Sequence, residues 1–293
     1  MRSDKTKMSG IILIGLCILT ILLCGCTESS QSSPDGNLGF QQQESDVLTI
    51  SGSTTVLPVA AQAAEQYMDD NPDVDIRVNG GGSGVGVQSV GEGTAMIGMV
   101  SRDLKKEEKE KYPELKEHQI AIDGIAIITH RSNPIPSLTL EQVKAIYNGN
   151  ISNWKEVGGS DAAIVVIGRD SASGTREFFH AKVMNMEDFV QKQFEKNSNG
   201  AVKQSVEQTP AAIGYVSLGY IDESVNAIPI LVDGKPIVPS VETVKNKSYP
   251  IARPLNFLTN GERFGIIGDF IAFIDSPKGH QIVTLEGFVP FNN

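Results

Sequence analysis

The sequence predicts an α/β fold, on three observations. Short apolar runs with strand character alternate with segments of helical spacing along most of the chain. Several strand ends run through Ser/Thr/Gly-rich turns straight into helices, at Ser53–Thr55, at Ser83 and at Arg169–Thr175. With 293 residues, 40% of them hydrophobic and 20% charged, the chain is long enough for two modest domains or one large one.

The N-terminus reads as an address. Arg2, Lys5 and Lys7 precede an apolar run from Ile11 to Leu23, which is short for a membrane-spanning helix and right for a signal-peptide core. Leu23-Cys24-Gly25-Cys26 resembles the lipobox of exported lipoproteins, in which cleavage falls before a cysteine that receives lipid. Residues 1–25 are therefore expected to be a signal peptide, with Cys26 as the lipidated N-terminus. An uncleaved anchor helix is the alternative and would leave the same domain outside the same membrane. One acyl chain anchors only marginally, so two are expected. Residues 26–46, rich in Ser, Gln, Gly and Asn, form a flexible linker.

Composition excludes several functions. The net charge is −10, and removing residues 1–25 takes away three basic side chains and one acidic, leaving −12. Nucleic acid is not a partner of so acidic a body. A local cluster of donors can still hold one small anion. Cys17, Cys24 and Cys26 are the only cysteines, so the body has neither a disulfide nor a thiolate metal site. His118, His130, His180 and His280 are scattered without ligand spacing. No metal or other cofactor is expected.

The body opens with a strand at Leu48-Thr49-Ile50, a turn through Ser53-Thr54-Thr55, and an Ala-rich helix from Val56 to Met68 with Pro58 in its first turn. Val74 to Val78 alternates as a strand, and Asn79 to Val90 is a glycine-rich loop running into a helix. Ala95 to Val100 is apolar, Lys105 to Lys116 a charged helix, and Ile120 to Thr129 an apolar strand interrupted by Asp123-Gly124, suited to a bent crossing strand. Leu140 to Tyr147 is amphipathic, and Trp154, the only tryptophan, reads as a packing anchor. The strand Ala162–Ile167 feeds Gly168 to Arg176 and then a helix. Met184 to Phe194 is expected to be helical, and Ile213 to Val216 a strand. Ile228 to Val238 reads as a hairpin through Asp233-Gly234, Tyr249 to Thr259 as extended, and Ile266 to Ile274 as a helix.

The glycine-rich loop is not a phosphate-binding P-loop, because no Lys-Ser/Thr follows Gly86. It is not a dinucleotide fingerprint, because Val85 stands where the third glycine belongs, nor a nucleophile elbow, because Ser83 is followed at the required spacing by Val85. It remains a tight turn, or a loop whose backbone approaches a ligand with Ser83 as its hydroxyl. At Arg169–Thr175 a helix cap by Ser173 or Thr175 is the simplest account of the turn alone. Repetition of one composition at three strand ends favours more: hydroxyls, first-turn N–H groups and Arg169 converging on one anion at the carboxyl edge of a sheet.

Gly52-Ser53-Thr54-Thr55-Val56, the Gly80-Gly81-Gly82-Ser83-Gly84 loop, Ile97 to Arg102, Tyr147-Asn148-Gly149 with Ile151 to Trp154, Arg169 to Arg176, and Ile213 to Val216 occur in that order. Together they resemble the phosphate-binding lipoproteins of phosphate ABC importers, substrate-binding proteins of the periplasmic-binding-protein-like type II family. The resemblance spans residues 47–293. It implies two α/β lobes with the ligand cleft between them: residues 47–125 and 230–293 as lobe 1, 126–229 as lobe 2, with crossings at Asp123-Gly124 and after Tyr220. It implies phosphate binding by Ser53, Thr54, Thr55, Ser83, Ser101, Arg169, Ser173, Gly174 and Thr175. Ser171 falls where many members place an acidic partner for the arginine. Ser101 falls where many carry an aspartate that accepts the proton of hydrogen phosphate, so the penalty against sulfate is absent here; Asp123 or Asp170 are alternative acceptors. The implied protein is a monomer on the outer face of the cytoplasmic membrane, delivering inorganic phosphate to an ABC permease and catalysing nothing. Another tetrahedral oxyanion, sulfate or molybdate, is the second reading. A serine hydrolase using Ser83 or Ser173 is a distant third.

Overall fold

The computed structural model describes residues 46–291. The expected signal peptide, Cys26 and nearly all of the linker lie outside the described residues. Strand β1 (Asp46–Gly52) leads into α1 (Leu57–Asp70), β2 (Val74–Gly80) into α2 (Ser83–Gly91), and β3 (Ile97–Val100) follows. A short α3 (Lys106–Lys111) precedes the long β4 (Leu115–His130). Then come α4 (Leu140–Tyr147), β5 (Val165–Arg169), α5 (Gly174–Lys182), β6 (Phe194–Lys196), α6 (Asn199–Glu207), β7 (Ala212–Ser217) and β8 (Val225–Ile228). The chain closes with β9 (Ile230–Val232), β10 (Lys235–Ile237), α7 (Val241–Lys245), β11 (Ala252–Asn260), α8 (Gly265–Ile274), α9 (Pro277–Leu285) and β12 (Val289–Pro290).

The strands join in the order β2-β1-β3-β11-β4-β7-β5-β6, with β8 and β12 also on β4. Strand β4 explains the architecture. Its first half pairs with β11 and β12, its second half with β7 and β8, all antiparallel. On either side lie parallel blocks, β1 with β2 and β3, and β5 with β6 and β7. Ile125, Ala126, Ile127 and Ile128 are all buried, as expected of a strand covered on both faces. Two large apolar cores result, beside a small cluster of Val87, Val100, Leu104 and Leu258. One gathers Leu48, Ile97, Ala121, Leu255 and Phe270; the other gathers Ile125, Tyr147, Phe179, Tyr215 and Ile251. This is the two-lobed α/β arrangement, with Asp123-Gly124 between the halves of β4.

The chain stays on the second core well past Tyr220: Ile230, Val244, Tyr249 and Ile251 all pack there. It re-enters the first core through Arg253 and Leu255, where β11 carries a register shift next to Leu255. The hairpin forms as expected, Asp233 and Gly234 both taking positive φ at 50° and 76°. Trp154 is buried, and its indole N–H donates to the Ala211 carbonyl at 2.9 Å.

Two expected helices change. Lys105–Lys116 is helical only over α3, because Pro113 pushes Tyr112 out of helical backbone and Leu115 already begins β4. Met184–Phe194 is not a helix. Asn185 and Met186 adopt left-handed backbone, and Phe194 starts β6. The apolar spacing there reflects a loop laid on an aromatic cluster, with Phe189 against Tyr147 and Phe179 at ring distances of 6.4 and 6.3 Å. Helices α6, α7 and α9 and strand β6 carry no sequence expectation of their own.

Candidate anion site

Four helices begin at one place. α1 starts after Ser53-Thr54-Thr55, α2 at Ser83, α5 after Ser173, and α6 at Asn199. First-turn N–H groups have no intrahelical acceptor, so each start brings donors and the positive end of a helix dipole. Parallel pairing of β1 with β3 and of β5 with β7 sets these starts along the carboxyl edges of both sheet blocks.

All nine residues expected to bind phosphate lie in this region. Ser53, Thr54, Thr55, Ser83, Ser101, Arg169, Ser173 and Thr175 are buried, and Gly174 lies against two of them. A Cβ at Gly174 would stand 2.2 Å from Ser83 Oγ and 2.9 Å from Ser101 Oγ, so only glycine allows the two lobes to meet here. Gly82, at φ 97°, makes a second close approach: a Cβ there would stand 2.5 Å from the Ala172 carbonyl oxygen. The Gly84 N–H donates to that same oxygen at 3.0 Å.

The hydroxyls pair across the lobes. Thr55 and Thr175 Oγ1 are 3.3 Å apart. On one side, Ser83 and Ser101 Oγ are also 3.3 Å apart, and Ser83 Oγ accepts the Ser101 N–H. Ser53 and Ser173 have local duties as well. Ser53 Oγ accepts from Thr55 N–H and Ser173 Oγ caps α5 by accepting from Arg176 N–H, both at 3.2 Å. Ser173, not Thr175, is thus the cap.

Arg169 is 1% exposed at the carboxyl end of β5. Its Nε and Nη2 donate to the Lys196 and Asn197 carbonyls at 3.1 and 3.2 Å, and Nη2 also reaches Thr54 Oγ1 at 3.4 Å. Its Nη1 is buried without a hydrogen-bond partner. Burial pulls the guanidinium below its ordinary value, and arginine remains charged. Backbone carbonyls do the work expected of an acidic partner, and Ser171 is exposed.

Sequence reading missed Arg253 and Asn199. Arg253 faces Asp123 directly across β11 and β4. Its Nε and Nη2 donate to Asp123 Oδ2 at 2.9 and 2.8 Å, and both side chains are fully buried. Asp123 Oδ1 accepts from Ser217 Oγ and Leu218 N–H. With both oxygens engaged, Asp123 is an anchor for Arg253 rather than an acceptor for a ligand proton. Burial raises the Asp123 carboxyl above its usual range, against the pull of Arg253. A signal was present in the chain: Asp123 and Arg253 are lone opposite charges inside two apolar runs, and buried charges come in pairs. Asn199 sat in Ser198-Asn199-Gly200, a stretch that carried no expectation.

The lobes are further joined by Tyr220, whose hydroxyl donates to the Thr54 carbonyl at 2.6 Å. Arg102 forks onto Glu108 at 2.8 and 2.7 Å and also pairs with Glu177 of α5. Among the described residues there is no group of three or more His, Cys, Asp or Glu arranged to hold a metal, and no helix long and apolar enough to cross a membrane.

A family model for the PBP superfamily domain matches residues 39–278. The phosphate-binding protein PstS of Bacillus subtilis is 35% identical over 290 residues, covering 98% of this chain and 94% of the relative. A phosphate ABC transporter substrate-binding protein of Clostridium perfringens, solved with bound phosphate, superposes with a TM-score of 0.79 at 43% identity, covering 84% of this chain and all of that one. An ABC-type phosphate transport receptor of Vibrio cholerae gives 0.68 at 33% identity, over 83% and 99% of the two chains.

Proposed function

Because the chain belongs to the PBP superfamily, and within it to the family of these phosphate-binding relatives, we propose that it captures inorganic phosphate between its lobes and delivers it to an ABC importer. The observation that carries this reading is Arg169: a buried cation with no carboxylate partner among the described residues, one unpartnered N–H donor, and threonine and serine hydroxyls around it. Such a donor set suits an oxyanion with several acceptor oxygens. Closure of the lobes strengthens each bond by excluding water.

Calorimetry tests the assignment. Arg169→Ala weakens phosphate binding by about 100-fold or more, the effect of removing one partner of a desolvated charge-assisted contact. Arg77→Ala, at an exposed arginine paired with Asp75, leaves it unchanged. Equal affinities for the two variants would remove Arg169 from the site. Ser101 adds no charge to repel a fully ionised anion, which supports sulfate or molybdate as the second reading. Competition between phosphate and sulfate near neutral pH decides between them, and phosphate is expected to win.

The lobe boundaries follow the two cores. We place lobe 1 at 46–123 and 253–291 and lobe 2 at 124–252, which moves the second boundary from the expected residue 230 to residue 253. The packing of Ile230, Tyr249 and Ile251 in the second core supports that shift. Cys26 is proposed to carry the lipid that holds a monomeric receptor to the outer face of the cytoplasmic membrane. Cys26→Ser then moves the protein from the membrane fraction to the soluble one, and retention on the membrane would favour an uncleaved anchor.

A further inference from the structure

Asn199 and Arg253 share a geometry that the binding reading does not use. The Asn199 carbonyl oxygen accepts the Ser217 N–H at 3.2 Å. That contact fixes which end of the amide is which, so the NH2 group faces the threonines. Its two hydrogens go to Thr54 Oγ1 at 3.3 Å and Thr55 Oγ1 at 3.0 Å. Arg253, oriented by its fork on Asp123, sends Nη2 to Thr55 Oγ1 at 3.0 Å and Nη1 to Thr175 Oγ1 at 2.8 Å.

A hydroxyl has two acceptor lone pairs and one proton. Thr54 Oγ1 accepts from Asn199 and from Arg169 Nη2, so its proton is left to donate. Thr55 Oγ1 accepts from Asn199 and Arg253, so in the Thr55–Thr175 contact Thr55 must be the donor. Thr175 Oγ1 then accepts from both Arg253 and Thr55, and its own proton must leave the network. Both outgoing protons belong to residues at the helix starts around Arg169.

We propose that Asn199 and Arg253 are positioning residues that set the polarity of the threonine hydroxyls, filling their acceptor sites so that Thr54 and Thr175 can only donate to an oxyanion. This rests on the anion-binding reading of the cleft and extends it to specificity. A ligand oxygen that carries a proton finds no acceptor at these hydroxyls. The Ser83–Ser101 pair can accept it, because Ser101 Oγ keeps a free lone pair whichever serine donates. Bare anionic oxygens are thus sorted to the threonine side and a protonated oxygen away from it.

The test inverts the donor. Asn199→Asp keeps the oxygen that accepts from Ser217 and replaces the NH2 by an acceptor, which draws the threonine protons away from the ligand. Phosphate affinity by calorimetry at about pH 8 is expected to fall about 100-fold relative to the unsubstituted protein. At about pH 5.5 the protonated carboxyl donates again, and about 10-fold of that relative loss returns. Asn199→Ala removes the donors without adding an acceptor. It weakens binding by about 10-fold at both pH values. A purely structural role would give both variants the same pH-independent loss, and that result overturns the proposal. So does unchanged affinity in Asn199→Ala, which decides the matter alone if Asn199→Asp does not fold. If the unsubstituted protein prefers sulfate, the phosphate reading falls by itself. The same pair of variants titrated with sulfate still decides the polarity, because any oxyanion accepts from the threonine hydroxyls in the same way.

Discussion

The two buried arginines of the cleft are held in opposite ways. Arg253 spends two N–H donors on a carboxylate directly across the β4–β11 ladder. Arg169 is bound by carbonyl oxygens and one threonine, and its Nη1 has no partner. The first arginine is neutralised within the protein, the second is not. A buried charge without its own counter-ion is tolerated where a ligand supplies one. Burial and residue type do not tell the two arginines apart; the count of their satisfied donors does, and it is what supports Arg169 as the proposed ligand-binding cation.

The comparison breaks most readily on stability. Arg253→Ala strands the Asp123 carboxylate in the interior and is expected to cost about 3–5 kcal/mol of ligand-free stability in denaturant unfolding. Converting both residues to apolar ones recovers most of that loss, because the desolvation of both charges is removed together. Arg169→Ala is expected to change ligand-free stability by less than about 1 kcal/mol, in either direction, while abolishing tight binding. If Arg169→Ala destabilised as much as Arg253→Ala, the distinction between a structural and a binding arginine would fail.

A smaller effect lies between the two. Tyr220 ties the Thr54 carbonyl to the second lobe, and burial pushes its hydroxyl up to about 12, so it is a donor throughout the physiological range. Tyr220→Phe removes one interlobe hydrogen bond and is expected to weaken phosphate binding about 5-fold. Ligand-free unfolding should hardly move if the bond forms only on closure. An equal loss in both measurements would show that it persists in the open form.

Much of this was legible in the chain, and the limits have physical causes. Strand-to-helix turns at Ser53–Thr55, Ser83 and Arg169–Thr175 announced themselves because their composition repeats and their flanks are strongly periodic. Asp123 and Arg253 were visible as lone charges in apolar runs. Their pairing depends on a register between strands about 130 residues apart in sequence, which no local pattern encodes. Asn199 was hidden because a turn-like Ser-Asn-Gly has the same look whether its amide faces solvent or a cleft. The Met184–Phe194 loop failed for the converse reason. Its apolar spacing imitates a helix, while two left-handed residues and the aromatic cluster beneath it decide the backbone.

An exposed ion pair completes the comparison by showing what the same chemistry does in water. Asp222 pairs with Lys203 on the surface and also accepts from the Ser224 hydroxyl and N–H. These contacts, Lys203 first, draw its carboxyl down to about 2, whereas burial drives the Asp123 carboxyl upward despite the two-pronged fork of Arg253. The signs give opposite pH behaviour. With its folded value depressed, Asp222 contributes stability above the unfolded aspartate value of about 3.9, and the contribution disappears as pH falls through about 2. Lys203→Ala is expected to raise the Asp222 carboxyl by roughly 1 unit in an NMR titration, with Ser224 holding it below the free value. Global stability at neutral pH should change by no more than about 0.5 kcal/mol, since solvent screens the pair. A titration curve for Asp222 that does not move would assign the depression to Ser224 alone, and the surface pair would then contribute nothing measurable beside the buried one.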